Sequence, residues 1–230
     1  GPAGTGGFSC RNLSVGAYQN PYFDIVIGIF MLMFGVNFNL YYFLLIRRFR
    51  DVFHSEELRS YLLIVAAAVV AITVDIAHLY DSVSTSLCHA FFQVSSIITT
   101  TGYATTDFNA WPTFSKGILV MLMFIGACAG STGGGIKVSR ILILLKTVKK
   151  ELGSIVHPRS IKRIRFDDHP VEHEVLRAIN VFLIVYLVIY SFSMLIISVD
   201  GFSFETNFTA VAATLNNIGP GLDLVGPTSN

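Results

Sequence analysis

Charge is scarce in this chain. Asp, Glu, Lys and Arg together make up 13% of its 230 residues, while hydrophobic residues make up 53%; an ordinary soluble domain carries about 25% charged residues. That balance excludes a water-soluble globular domain and points to a membrane protein. Cysteine is nearly missing as well. Cys10, Cys88 and Cys128 share no metal-ligand spacing and cannot all pair with one another, so they read as packing residues. No Ser-His, Cys-His or paired-carboxylate arrangement occurs within the apolar segments, so the expectation is that the chain is not an enzyme. Its opening, GPAGTGGFSC, has no signal-peptide pattern and reads as the interior of a longer polypeptide.

The few charges are informative by position. Of the 16 Lys and Arg, 14 fall in two segments, Arg47 to Arg59 and Lys137 to Arg177. By the positive-inside rule those segments are cytoplasmic, and the stretches around Ser95 to Thr106 and Asp200 to Asp223 lie outside.

Between them run apolar segments of two lengths. Phe23 to Ile46 is 24 residues long, about 36 Å of helix, enough to cross a hydrocarbon core of about 30 Å. Asn37 and Asn39 interrupt it and are expected to face neighbouring helices or a wet cavity. Leu58 to Tyr80 and Val175 to Val199 are further spanning helices. Asp75, His78 and Asp81 near the end of the first are either a cation-attracting cluster or an interfacial helix end in water. Leu87 to Thr101 and Thr206 to Asn216 are half-polar and too short to span; they read as re-entrant half-helices, which need protein or a water-filled pore over their ends. Phe114 to Leu152 would be one long helix but for Gly130 to Gly135, GSTGGG, where the helix should break within the membrane. Leu152 to Glu172, with Pro158 and Pro170, is expected to be a cytoplasmic loop.

Each short helix ends on a Gly turn. SSIITTTGY at Ser95 to Tyr103 and NNIGPG at Asn216 to Gly221 align with TGGFS at Thr5 to Ser9, bringing Gly7, Gly102 and Gly219 into register. The pattern is a repeat of spanning helix, re-entrant helix, Gly turn and spanning helix. Glycine permits positive φ, so successive carbonyls can turn toward one axis, and rings of carbonyls replace the hydration shell of a potassium ion. The helix C-terminus pointing at such a turn also favours a cation. Read as ordinary turns, the same glycines carry no ion.

Four segments carry a resemblance across nearly the whole chain: TGGFS, TTTGYATTDFNAWP at Thr99 to Pro112, GACAGSTGGGIKVSR at Gly126 to Arg140, and NNIGPG. They resemble the TrkH family of bacterial potassium uptake systems, in the Trk/Ktr/HKT superfamily. The resemblance implies an all-α membrane protein of the bacterial inner membrane, built of helix, pore-loop, helix repeats around one pseudo-fourfold potassium pore. Residues 1–57 then end the second repeat, 58–152 form the third, 153–174 are a cytoplasmic basic loop, and 175–230 begin the fourth. The filter would comprise Thr5, Gly6, Gly7 and Phe8; Thr100, Thr101, Gly102 and Tyr103; and Asn217, Ile218, Gly219 and Pro220. Gly130, Ser131, Thr132, Gly133, Gly134 and Gly135 would be a gating loop below it. Potassium is the ion, no cofactor is covalently bound, and the implied partners are membrane lipids, a second copy of the chain and a cytosolic nucleotide-binding regulatory subunit. A less selective cation channel or a sodium-coupled potassium symporter on the same fold is the alternative.

The residues leave several readings open. GSTGGG is either a mobile gate or a site of close backbone packing. It is not a nucleotide-binding loop, because Ile136 precedes Lys137, Val138 follows it and the flanks are membrane helix. Lys137 either repels cations at the cytoplasmic mouth or snorkels as an ordinary helix-end residue. The basic loop Lys146 to Arg165 contacts anionic lipid or docks the regulator; nucleic acid is not expected.

Overall fold

The structure is a computed structural model describing residues 1–156 and 163–228. Among these, regular structure is almost wholly helical: α1 (Pro21–Phe34), α2 (Phe38–Leu45), α3 (Phe49–His54), α4 (Glu56–Ile76), α5 (Val83–Ile98), α6 (Thr113–Ile125), α7 (Val138–Val156), α8 (His173–Ile197) and α9 (Phe204–Leu215), with one small hairpin of β1 (Arg165–Phe166) and β2 (His169–Pro170). Two helical stretches, Glu56–Leu79 and His173–Asp200, are long and apolar enough to cross a membrane.

The expected single span from Phe23 to Ile46 is instead two helices, α1 and α2, bent by 91°. Asn37 causes the break by capping α2, its Oδ1 accepting from the Asn39 amide at 2.9 Å. The freed backbone is not left unpaired. Gly35 O accepts from the Cys128 amide (3.0 Å) and the Phe38 amide donates to Gly130 O (3.1 Å), so this elbow docks onto the Gly-rich segment.

α5 lies at the centre. Its second half, Phe92 to Ile98, is fully buried, packed between α1 on one side and α4 and α6 on the other. A 16-residue helix can be this buried only because it ends inside the molecule rather than at the membrane surface. The start of α6 is fixed by Asp75, whose Oδ2 accepts from the Ser115 amide (3.2 Å) and hydroxyl (2.6 Å). Asp75 is therefore a capping residue for a neighbouring helix. Trp111 Nε1 donates to Tyr80 OH at 3.1 Å beside it.

The break expected at Gly130 to Gly135 is wider. α6 stops at Ile125 because Gly126 takes φ 71° and α7 resumes only at Val138. The intervening loop is pinched at its neck: the Ile136, Lys137 and Val138 amides donate to the Phe124, Ile125 and Ala127 carbonyls at 3.1, 2.9 and 3.1 Å. A side chain on Gly126 could not be accommodated there, since its Cβ would sit 2.5 Å from Gly134 O.

The two basic segments meet at one end. Lys146 pairs with Glu56 and donates to Arg165 O (2.7 Å), and Asp167 Oδ1 accepts from the Glu56 amide (2.6 Å). α7 runs to Val156, beyond the expected start of the loop at Leu152, and β1–β2 occupies part of the rest. Pro158, Arg159 and Lys162 lie outside the described residues.

Candidate functional site

The three Gly turns share one backbone design. Positive φ recurs at matching positions: Thr5 (44°) and Gly7 (64°), Thr100 (55°) and Gly102 (83°), Asn217 (57°) and Gly219 (112°). The hydrogen bonds match too. The Gly6, Thr101 and Ile218 amides reach back to the Gly1, Ser96 and Ala213 carbonyls at 3.5, 2.9 and 2.8 Å; the Thr5, Thr100 and Asn217 amides reach Pro2, Ile97 and Thr214 at 3.2, 3.0 and 3.1 Å. This is a helix ending in a left-handed residue, a place usually given to Gly or Asn. At Thr5 and Thr100 the left-handed backbone costs about 1–2 kcal/mol each, strain that concentrates at functional sites.

The turns pack head to tail. Gly7 lies against the second turn so closely that a Cβ on it would fall 2.1 Å from Thr101 O. Gly102 has the same relation to the third turn, its Cβ falling 2.0 Å from Ile218 O. Gly219, the third in the series, has nothing among the described residues within 4 Å of its Cβ position. Any side chain at Gly7 or Gly102 would force the turns apart. A cavity of about 740 Å³ is lined by Thr5, Gly6, Gly7 and Phe8, by Gly102, and by Asn217, Ile218, Gly219 and Pro220. Thr100, Thr101 and Tyr103 are not on its wall. Tyr103 O instead accepts from the Ser96 hydroxyl (2.6 Å), and Tyr103 OH donates to Phe8 O (3.2 Å), which ties the first turn to the second.

The Gly-rich loop touches all three turns. Thr5 Oγ1 donates to Thr132 O (3.1 Å), and the Gly134 amide donates to Thr100 Oγ1 (2.6 Å). Thr5 and Thr100 occupy equivalent positions in their turns, so the loop is held by the same side chain twice. At the third turn Gly134 packs on backbone, with its Cβ position 2.1 Å from Asn216 O. Gly130 approaches Asn37 of the elbow, and Lys137 Nζ donates to Gly133 O within the loop. The segment is thus closely packed while lying against the turns.

The model of the TrkH family, described as a cation transport protein, matches residues 4–228. The chain belongs to the TrkH family. It is 40% identical over 223 residues to the Trk system potassium uptake protein TrkH of Salmonella typhimurium, covering 96% of this chain and 46% of the relative. It is 36% identical over 219 residues to the Trk system potassium uptake protein TrkG of Escherichia coli, covering 94% of this chain and 45% of the relative. The crystal structure of the potassium transporter TrkH from Vibrio parahaemolyticus superposes with a TM-score of 0.89 at 34% identity, covering 97% of this chain and 49% of that one. The chain spans about half the length of the curated relatives it matches. It is a helical membrane protein of bacterial TrkH type.

Several residues around the turns carry no recognisable sequence signal. Glu57, only 4% exposed, accepts from the Ala129 amide (2.7 Å) and the Ser139 amide (3.1 Å). In the sequence it lies in the polar segment Arg47 to Arg59, just before the expected helix start at Leu58. Tyr186 of α8 donates to Asn216 Oδ1 at 3.0 Å, and Asn216 Nδ2 donates to Ala212 O at 2.8 Å, bracing the third turn. The Asn109 side chain pairs with the Asp223 backbone, its Oδ1 accepting from the Asp223 amide (2.9 Å) and its Nδ2 donating to Asp223 O (3.1 Å). The Ser203 and Thr206 hydroxyls both donate to the Asp223 carboxylate, which holds its pKa below the ordinary value. These pairings join residues far apart in sequence, where periodicity carries no information.

Proposed function

We propose that this chain supplies three of the four selectivity-filter segments of a potassium uptake pore, with backbone carbonyls of the three turns contributing to the ion-binding ring. The observation that carries the reading is the head-to-tail packing of turns with one backbone design around one cavity. Partly desolvated carbonyls held by strained backbone are the groups that replace an ion's water. The names of the relatives, Trk potassium uptake proteins, support potassium as the cargo and a transporter rather than an enzyme.

In this reading residues Gly130–Gly135 are a gate. The loop lies against the inner ends of the turns through Thr132 and Gly134, and ions pass only when it moves. Four glycines in six residues make such movement accessible. The basic end, where Lys146, Lys149, Lys150, Arg163 and Arg165 line a cavity of about 360 Å³, is the docking place of a cytosolic nucleotide-binding regulator in addition to anionic lipid. The exposed apolar length of α8, including Val181, Leu187, Val188 and Phe192, faces lipid or a second protomer.

Flux of potassium, rubidium and sodium through the full-length protein in liposomes tests the reading. Preference for potassium and rubidium over sodium is expected. Equal sodium flux would favour the less selective channel, which differing middle residues Gly6, Thr101 and Ile218 make a real competitor. Deleting Ser131 to Gly134 should raise flux, and a folded deletion mutant with unchanged flux would remove the loop from gating.

A further inference from the structure

We propose that Glu57 is a positioning residue that clamps both ends of the intramembrane loop, so that it sets how easily the loop leaves the turns. One carboxylate oxygen, Oε1, accepts from the Ala129 amide just before GSTGGG and from the Ser139 amide just after the neck. The side chain is buried in the first turn of α4, with Asn37 and Ser139 beside it. A carboxylate withdrawn from water is costly unless hydrogen bonds replace its hydration. Here they come from two amides whose separation is the loop itself. The Ser139 amide lies in the first turn of α7, where helix N–H groups lack internal partners and the dipole favours an anion.

The clamp defines which part of the loop can move. The root is held from two sides, by Glu57 and by the α1–α2 elbow through Gly35 O and the Phe38 amide. The tip rests on the turns through Thr132 and Gly134 and the two threonine hydroxyls, with backbone packing on Thr99 and Asn216, and Lys137 Nζ donates to Gly133 O. A root anchored on a carboxylate and the elbow, with a tip that rests on the turns, is a flap, and Glu57 fixes its hinge. Glycines alone would leave the loop free to collapse in many directions.

The functional consequence rests on the gating reading, whereas the positional claim does not. Cys128, fully buried at the root beside Ala129, reports on the clamp directly. The experiment uses full-length protein in membranes with Cys10, Cys88 and any further cysteines replaced by Ser, labelled with N-ethylmaleimide and assayed in parallel for potassium flux. Glu57→Ala is expected to speed Cys128 labelling at least tenfold, the scale of losing a hydrogen bond to a charged group, and to raise basal flux. Glu57→Gln keeps the acceptor oxygen and should stay close to the parent. Wild-type labelling in a folded Glu57→Ala protein would overturn the proposal, as would Gln labelling as fast as Ala. If Glu57→Ala fails to accumulate, Glu57→Asp, which withdraws the oxygen by one methylene, carries the same test. Faster labelling with unchanged flux would uphold the clamp and overturn the gate instead.

Discussion

Gly102 and Ile218, from different Gly turns, meet backbone to backbone: a methyl group on Gly102 would lie 2.0 Å from the Ile218 carbonyl oxygen. Gly7 stands in the same relation to Thr101. Gly102→Ala therefore adds a steric clash to an unfavourable positive φ, and overpacking alone costs about 1–3 kcal/mol. Loss of potassium flux by at least tenfold is expected in the full-length protein, with the protein still folded by thermal unfolding assay.

On the proposed reading of three filter turns out of four, Gly219 is where a fourth turn closes the ring. A closed ring requires a carbonyl of the remaining turn to seat against it, as Thr101 O and Ile218 O seat against Gly7 and Gly102. Gly219→Ala should then reduce flux as severely as Gly102→Ala. Wild-type flux through a folded Gly219→Ala protein would contradict ring closure.

Thr100 joins turn and loop through its hydroxyl, which accepts from the Gly134 amide at 2.6 Å. Thr100→Val keeps the shape and removes the acceptor, a loss of about 1 kcal/mol that should shift the loop roughly fivefold toward its displaced position. Faster hydrogen exchange at Gly134 and raised basal flux are the measurements.

Asp223 gives a pH dependence with a definite sign. Its pKa is lowered in the fold, first by the Ser203 hydroxyl and then by that of Thr206. The stabilisation is therefore fully present above the ordinary carboxylate value of 3.8 and is lost as pH falls below it, through the folded-state value. Thermal unfolding of the parent against Asp223→Asn should show a constant difference from pH 5 to 7 that shrinks below about pH 4.

The basic end separates two kinds of contact. Neutralising Lys149, Lys150, Arg163 and Arg165 should abolish capture of a cytosolic nucleotide-binding subunit if that protein docks there. If only anionic lipid is bound, capture stays unchanged and binding to acidic vesicles falls by about 1 kcal/mol per charge removed.

Composition and charge position already determined a multi-pass membrane helical chain, because burying charge in hydrocarbon is too costly for any other placement. The threefold recurrence of Gly turns was also legible, since positive φ is a local demand that a local sequence must meet. The 91° elbow at Asn37 was not, and neither was the earlier end of α6 at Gly126. An apolar run records which residues tolerate lipid but not the direction of the chain through it. What decided the elbow was a distant partner: Gly35 and Phe38 find their missing hydrogen bonds on Cys128 and Gly130. The same holds for Glu57, an acid in a polar segment by sequence and an acceptor of two distant amides in the structure. Backbone groups inside a membrane must be satisfied within the protein, and which groups satisfy them is settled only when segments distant in sequence come together.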